Sequence, residues 1–131
     1  MFLDASAIVA ILARESDATS LSARLARAIK IYVSPVCIYE AVLGLARKEN
    51  FSLADARRIV DRLIGELRAE IIPIDAEIGD AAIDAFERFG KGRHAASLNL
   101  GDCFAYACAR QRDVPMLSKG NDFPRTDIAT A

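Results

Sequence analysis

The chain has 131 residues, a length that suits one domain spanning 1–131 around one hydrophobic core, and its 53% apolar content excludes a disordered polypeptide. No apolar run approaches the ~20 residues that cross a bilayer, and no basic stretch leads into a long apolar one, so a cytoplasmic protein off the membrane is expected. A net charge of −1 argues against broad, non-specific coating of nucleic acid.

In chain order, residues 1–4 read as a strand and Ala5–Glu15 as a helix, with Ser6 a candidate N-cap and Ile8, Ile11 and Leu12 on one face. Thr19–Ile29 places Leu21, Leu25 and Ile29 at helical spacing, and Ile31-Tyr32-Val33 is a short β-prone run. Ser34-Pro35 then predicts a helix start, serine as cap and proline in the first turn, with the helix running to about Lys48. From Ser52 or Leu53 to Ala69 the apolar set Ala56, Ile59, Val60, Leu63, Ile64 and Leu67 follows helical spacing. Ile71–Ile74 is a third strand, its Pro73 favouring a strand end. Asp75–Phe89 is helical, with Ile78, Ala82 and Phe86 on one face. Gly101–Arg112 is the last helix, Met116-Leu117 a fourth strand, and Asp127-Ile128 a possible short fifth. Strands alternating with helices predict an α/β fold with a parallel sheet covered on both sides. Cys37, Cys103 and Cys108 occupy apolar helical positions without ligand spacing, which suits buried thiols in a reducing cytoplasm.

Three acids stand out. Asp4 follows the first strand, where open parallel sheets bind ligands, although an Asp just ahead of a helix also caps it. Ser6 can cap the same helix or hydrogen-bond Asp4. Glu40 has Val36, Cys37, Leu43 and Gly44 as its helical neighbours, and a carboxylate on such a face is costly unless something positive meets it. Gly44 costs about 1 kcal/mol in a helix relative to Ala, which suggests a close approach there. Asp102 opens the last helix, where the helix dipole favours negative charge. Asp122, in Gly120-Asn121-Asp122-Phe123, can complete the group or be an ordinary turn residue. Clustered carboxylates repel, and a divalent ion resolves the conflict. All-oxygen donors suit Mg²⁺, with Mn²⁺ as a substitute, and disfavour Zn²⁺.

A basic loop, Lys91, Arg93 and His94 within Phe89-Gly90-Lys91-Gly92-Arg93-His94, can hold a phosphate backbone or be a solvated surface turn. The single histidine leaves no Ser-His-Asp or Cys-His arrangement evident, and neither a GxGxxG nor a P-loop sequence is present.

The segments Met1-Phe2-Leu3-Asp4-Ala5-Ser6-Ala7, Glu40, Gly101-Asp102-Cys103-Phe104-Ala105-Tyr106 and Leu117-Ser118-Lys119-Gly120-Asn121-Asp122-Phe123 together resemble the PIN domain. They resemble specifically the VapC ribonuclease toxins of bacterial and archaeal toxin–antitoxin systems. The resemblance spans essentially the whole chain. It implies a three-layer α/β/α fold with a small parallel sheet of four to five strands, and a Mg²⁺-dependent endoribonuclease; in-line attack of water would leave a 5′-phosphate and a 3′-hydroxyl. By the same resemblance Asp4 and Asp102 are the metal ligands, Glu40 shares the pocket, Asp122 is the fourth acid and Ser6 orients Asp4. The short tail leaves Asn121, Asp122 and Asp127 as alternatives for that fourth place. A small antitoxin partner and a homodimer are also implied, with apolar stripes on the Thr19–Ile29 and Leu53–Ala69 helices as a surface for a partner helix or as core. Two other readings stand beside this one: a catalytically silent PIN-like domain binding RNA or protein, and a Mg²⁺-dependent phosphatase of small molecules.

Overall fold

A computed structural model describes residues Met1–Ala131. Four two-residue strands, β1 (Phe2–Leu3), β2 (Tyr32–Val33), β3 (Glu70–Ile71) and β4 (Met116–Leu117), form one sheet in the order β3-β2-β1-β4. Every neighbouring pair is parallel, with Phe2 opposite both Tyr32 and Met116. Phe2, Leu3, Met116 and Leu117 are fully buried, as expected of central strands covered on both faces. The chain moves outward from β1 to β2 and β3, then returns to the far side of β1 as β4. The order therefore reverses between β1 and β4, and that crevice is where a parallel sheet offers a ligand site.

Helices α1 (Ala5–Leu12), α2 (Ala18–Leu25), α3 (Pro35–Glu49), α4 (Leu53–Glu66), α5 (Ala76–Phe89) and α6 (Leu100–Gln111) make the crossovers. Right-handed crossovers put α1 to α4 on one face and α5 with α6 on the other. The packing follows that division: α1 lies against α2, α3 and α4, while α5 lies against α6. The three-layer α/β/α fold read from the sequence is the one observed, with four strands. Contact between α3 and α6 is the exception to the division, and it falls at the β1–β4 crevice.

Local chemistry explains most boundaries. Ser34 caps α3 by accepting the Cys37 N–H at 3.2 Å, with Pro35 following it, and Ser52 and Asp75 cap α4 and α5 in the same way. Helix α6 starts earlier than its spacing predicts, because Asn99 and Asp102 form a reciprocal capping box. The Asn99 side chain accepts the Asp102 N–H, and the Asp102 carboxylate accepts the Asn99 N–H, both at 2.9 Å. Asn99→Ala is expected to cost about 1 kcal/mol of stability, read as a lower midpoint in urea unfolding.

Four expectations are corrected. The cap of α1 is Asp4, which accepts the Ser6 N–H, and not Ser6. Helix α1 stops at Leu12, since Arg14 turns to positive φ. Helix α2 ends at Leu25, so Ile29 is fully exposed instead of completing an apolar stripe. Asp127-Ile128 is not a strand; the edge pairing falls two residues later, as a bridge between Met116 and Thr130. Asp127 is drawn instead to Arg88 and the Tyr106 hydroxyl. All three cysteines are buried free thiols, and no helix is long and apolar enough to cross a membrane.

Candidate active site

Asp4, Glu40 and Asp102 converge on the crevice between β1 and β4. They line one cavity of about 600 Å³ together with Ser6, Glu15, Gly44, Arg47, Lys48, Asn99 and Lys119. Asp4 is carried there by the end of β1, Glu40 by the second turn of α3, and Asp102 by the first turn of α6. Asp4 is 4% exposed, an unusual depth for a carboxylate. Its Oδ2 accepts the Ser6 N–H at 2.9 Å and the Ser6 hydroxyl at 2.5 Å. The same hydroxyl oxygen accepts the Lys119 N–H at 3.0 Å. Ser6 thereby ties the acid at the end of β1 to the loop that leaves β4.

Gly101 is the residue that admits Glu40. A Cβ at position 101 would stand 2.1–2.3 Å from the Glu40 carboxylate, so only a glycine leaves room for it. The close approach expected at Gly44 is also present, but against α1: a Cβ there would meet Val9 Cγ2 at 3.1 Å.

Electrostatics mark the three acids as one unit. Burial, then repulsion from Asp4 and Asp102, pushes the Glu40 carboxyl up to about 7. Burial likewise raises Asp102 to about 6 against the Asn99 hydrogen bond, with Asp4 and Asp122 adding repulsion. Asp4 is raised by burial in spite of its bonds from Ser6. These are groups that a nearby cation would relieve. No three of the chain's Asp, Glu, His and Cys side chains already meet as a closed ligand set. The donors fit a hard divalent ion nonetheless: all are oxygen, they repel one another, and such ions keep several waters and need only one or two carboxylates.

The remaining expected site residues fall differently. Asp122 is exposed just before a 3-10 turn at Phe123–Arg125 and caps nothing, yet it is near enough to raise both Asp4 and Asp102. Asn121 is also exposed, and Asp127 is committed to Arg88 at 2.7 Å and Tyr106 at 2.5 Å. Among the three alternatives, Asp122 is the one coupled to the acidic cluster. Lys91, Arg93 and His94 are exposed but do not line the cavity. Arg93 lies over the Phe86 ring, and His94 serves the loop itself, its Nδ1 accepting the Ala96 N–H at 3.0 Å and its ring edge-on to Phe89. The cations at the cavity are Arg47, Lys48 and Lys119, which sequence reasoning did not single out. Glu15 bridges the two lysine ammonium groups, and Lys119 and Lys48 together hold its carboxyl below the usual range. Asn99 and Gly101 were missed as well, although Asn99 and Asp102 carry the spacing of a capping pair.

A PIN-domain family model matches residues 1–129. The chain belongs to the PIN-domain family. Within it, the similarity runs to VapC ribonucleases over nearly full length. A VapC ribonuclease of Rhizobium meliloti is 42% identical, covering 97% of this chain and 98% of that protein. Ribonuclease VapC36 of Mycobacterium tuberculosis is 40% identical, with coverages of 98% and 91%. Two solved structures share the PIN fold at low identity. Mycobacterium tuberculosis VapC20, a sarcin-ricin loop cleaving toxin, superposes with a TM-score of 0.78 at 14% identity, covering 99% of this chain and 97% of its own. A toxin–antitoxin complex from Klebsiella pneumoniae gives 0.70 at 17% identity, with coverages of 99% and 95%. The chain is a VapC-type member of the PIN family.

Proposed function

We propose that this VapC-type chain is a divalent-metal-dependent endoribonuclease, the toxin of a toxin–antitoxin pair, with Mg²⁺ as its ion and Mn²⁺ able to substitute. The observation that carries the reading is the convergence of Asp4, Glu40 and Asp102 in one cavity at the switch point of the sheet, each raised chiefly by burial. Asp4 and Asp102 would hold the ion, Ser6 keeps Asp4 turned toward the cavity, and Asp122 adds negative charge from the β4 loop. When bound, a divalent ion polarises the phosphodiester and lowers the pKa of an attacking water. Glu40, in the same cavity and kept ionised once a cation is bound, would take the proton of the attacking water at its carboxylate. Lys91 and Arg93 meet RNA outside the cavity. A small antitoxin, a second copy of the chain in a homodimer and a cytoplasmic location belong to the same reading.

The test is direct. Purified protein freed of antitoxin should cut RNA in Mg²⁺, stop on addition of EDTA, and leave 5′-phosphate ends. Cutting should also fade as pH falls through about 7 and 6, because protons on Glu40 and Asp102 then compete with the ion. Binding of RNA without cutting in Mg²⁺ or Mn²⁺ would overturn the reading.

A further inference from the structure

Glu15, in the turn after α1, is sandwiched by ammonium groups from two separate elements: Lys48 at the end of α3 and Lys119 in the loop after β4. The Glu15 side chain is only 15% exposed, whereas Lys48 and Lys119 remain 45% and 38% exposed and line the acidic cavity. Each ammonium carries three N–H donors, so a shared carboxylate leaves donors free for a second anion. Asp17 stands 3.4 Å from the Lys119 ammonium, and Arg47 lines the same wall. A polyanion entering this cavity faces three carboxylates on one side, and these cations are the groups able to offset that repulsion.

We propose that Lys48 and Lys119 form the phosphate-binding wall of the RNA channel, and that Glu15 is their resident anion, displaced when a backbone phosphate enters between them. The assignment rests on the nuclease reading for its substrate, but binding can be measured without cutting. A carboxylate held by two ammonium groups presents two anionic oxygens where a phosphate would present its own. The site is built by three segments distant in sequence, and Lys119 is continuous with the catalytic cluster through its N–H bond to Ser6. The lysine ends of the two pairs are 45% and 38% exposed, so a phosphate can reach both ammonium groups from solvent.

The experiment is the salt dependence of binding of a fluorescently labelled single-stranded RNA in EDTA, by anisotropy over a range of KCl. The double variant Lys48→Gln/Lys119→Gln is expected to lose about tenfold in affinity. Its slope of log K against log salt should be shallower by about 1.4, two contacts at about 0.7 each for single strands. Glu15→Gln, which keeps both cations and removes their competitor, should bind several-fold tighter. If the double variant is poorly folded with Glu15 unpaired, the triple variant Glu15→Gln/Lys48→Gln/Lys119→Gln removes all three charges together and should show the same shallow slope. A folded double or triple variant with the wild-type slope overturns the proposal, as does Glu15→Gln binding no more tightly. Wild-type protein that binds through these lysines yet cuts nothing in Mg²⁺ would overturn the nuclease reading and leave this one standing.

Discussion

Asp102→Asn is expected to reduce RNA cleavage by more than about 100-fold while leaving the metal-free protein at least as resistant to heat as the wild type. Even groups that merely orient a metal's ligands cost about 10–100-fold when changed, and Asp102 is proposed as a ligand itself. Asparagine keeps an oxygen that can accept the Asn99 N–H, so the capping box survives the exchange. What disappears is a charge raised to about 6 by burial and by Asp4 and Asp122. Activity and stability should therefore move in opposite directions, which separates a functional acid from a structural one.

The pH dependence follows from the sign of the shifts. A carboxyl held at about 7 in the fold binds its proton more tightly there than in the unfolded chain. Its protonated form favours folding, an effect fully present below the ordinary carboxylate range and lost as pH rises through about 7. Glu40→Gln makes the neutral form permanent. Its gain in Tm over the wild type in EDTA should be near zero at about pH 4 and largest, a few degrees, at about pH 8. Thermal melts of both proteins across that range decide it. A gain that is independent of pH would show that Glu40 is not strained by its neighbours.

Gly101→Ala is the second large expected effect. The added methyl must displace the Glu40 carboxylate, which lies 2.1–2.3 Å from where it would sit. Overpacking of this kind costs about 1–3 kcal/mol, and here it also pushes Glu40 out of the acidic cavity. Cleavage should fall by more than about tenfold in a variant altered by one methyl group at a residue with no chemistry of its own, since small misplacements in a site carry costs up to about 10²-fold. Combining Gly101→Ala with Glu40→Ala tests the cause. The loss caused by Gly101→Ala should be smaller by about 1 kcal/mol or more in the Glu40→Ala background than in the wild type, the signature of direct contact. Additive losses would mean that Gly101 serves some other need.

Most of this architecture is legible without coordinates. The alternation of helices and strands, the Ser34-Pro35 start and the apolar set from Ala56 to Leu67 each report local rules, and each falls where those rules put it. Glu40 was legible as an anomaly, a carboxylate among Val36, Cys37, Leu43 and Gly44. Its partner Gly101 was not, because the clash it avoids is with Glu40, far away in sequence, and only the fold creates it. The wall of Arg47, Lys48 and Lys119 was invisible for the same reason: each is an unremarked surface cation in sequence, and two distant segments must meet before they share a cavity. The Lys91-Gly92-Arg93-His94 cluster is the opposite case. Contiguous basic residues are conspicuous in sequence, yet His94 is spent on its own loop and the run lies outside the cavity lining. Asp127 similarly reads as a spare acid and is taken up by Arg88 and Tyr106.

Acids from the end of β1, from α3 and from α6 are proposed to act as a single divalent-cation site. Calorimetric titration of Mn²⁺ into the purified chain, in two buffers of different ionisation enthalpy near pH 7, tests it most directly. Binding should release protons, because Glu40 and Asp102 are partly protonated in the metal-free fold and must give those protons up. It should be lost in Asp4→Asn and Asp102→Asn, and in Glu40→Gln the proton release should shrink. Equal binding with unchanged proton release in all three variants would show that these acids are not the cation site.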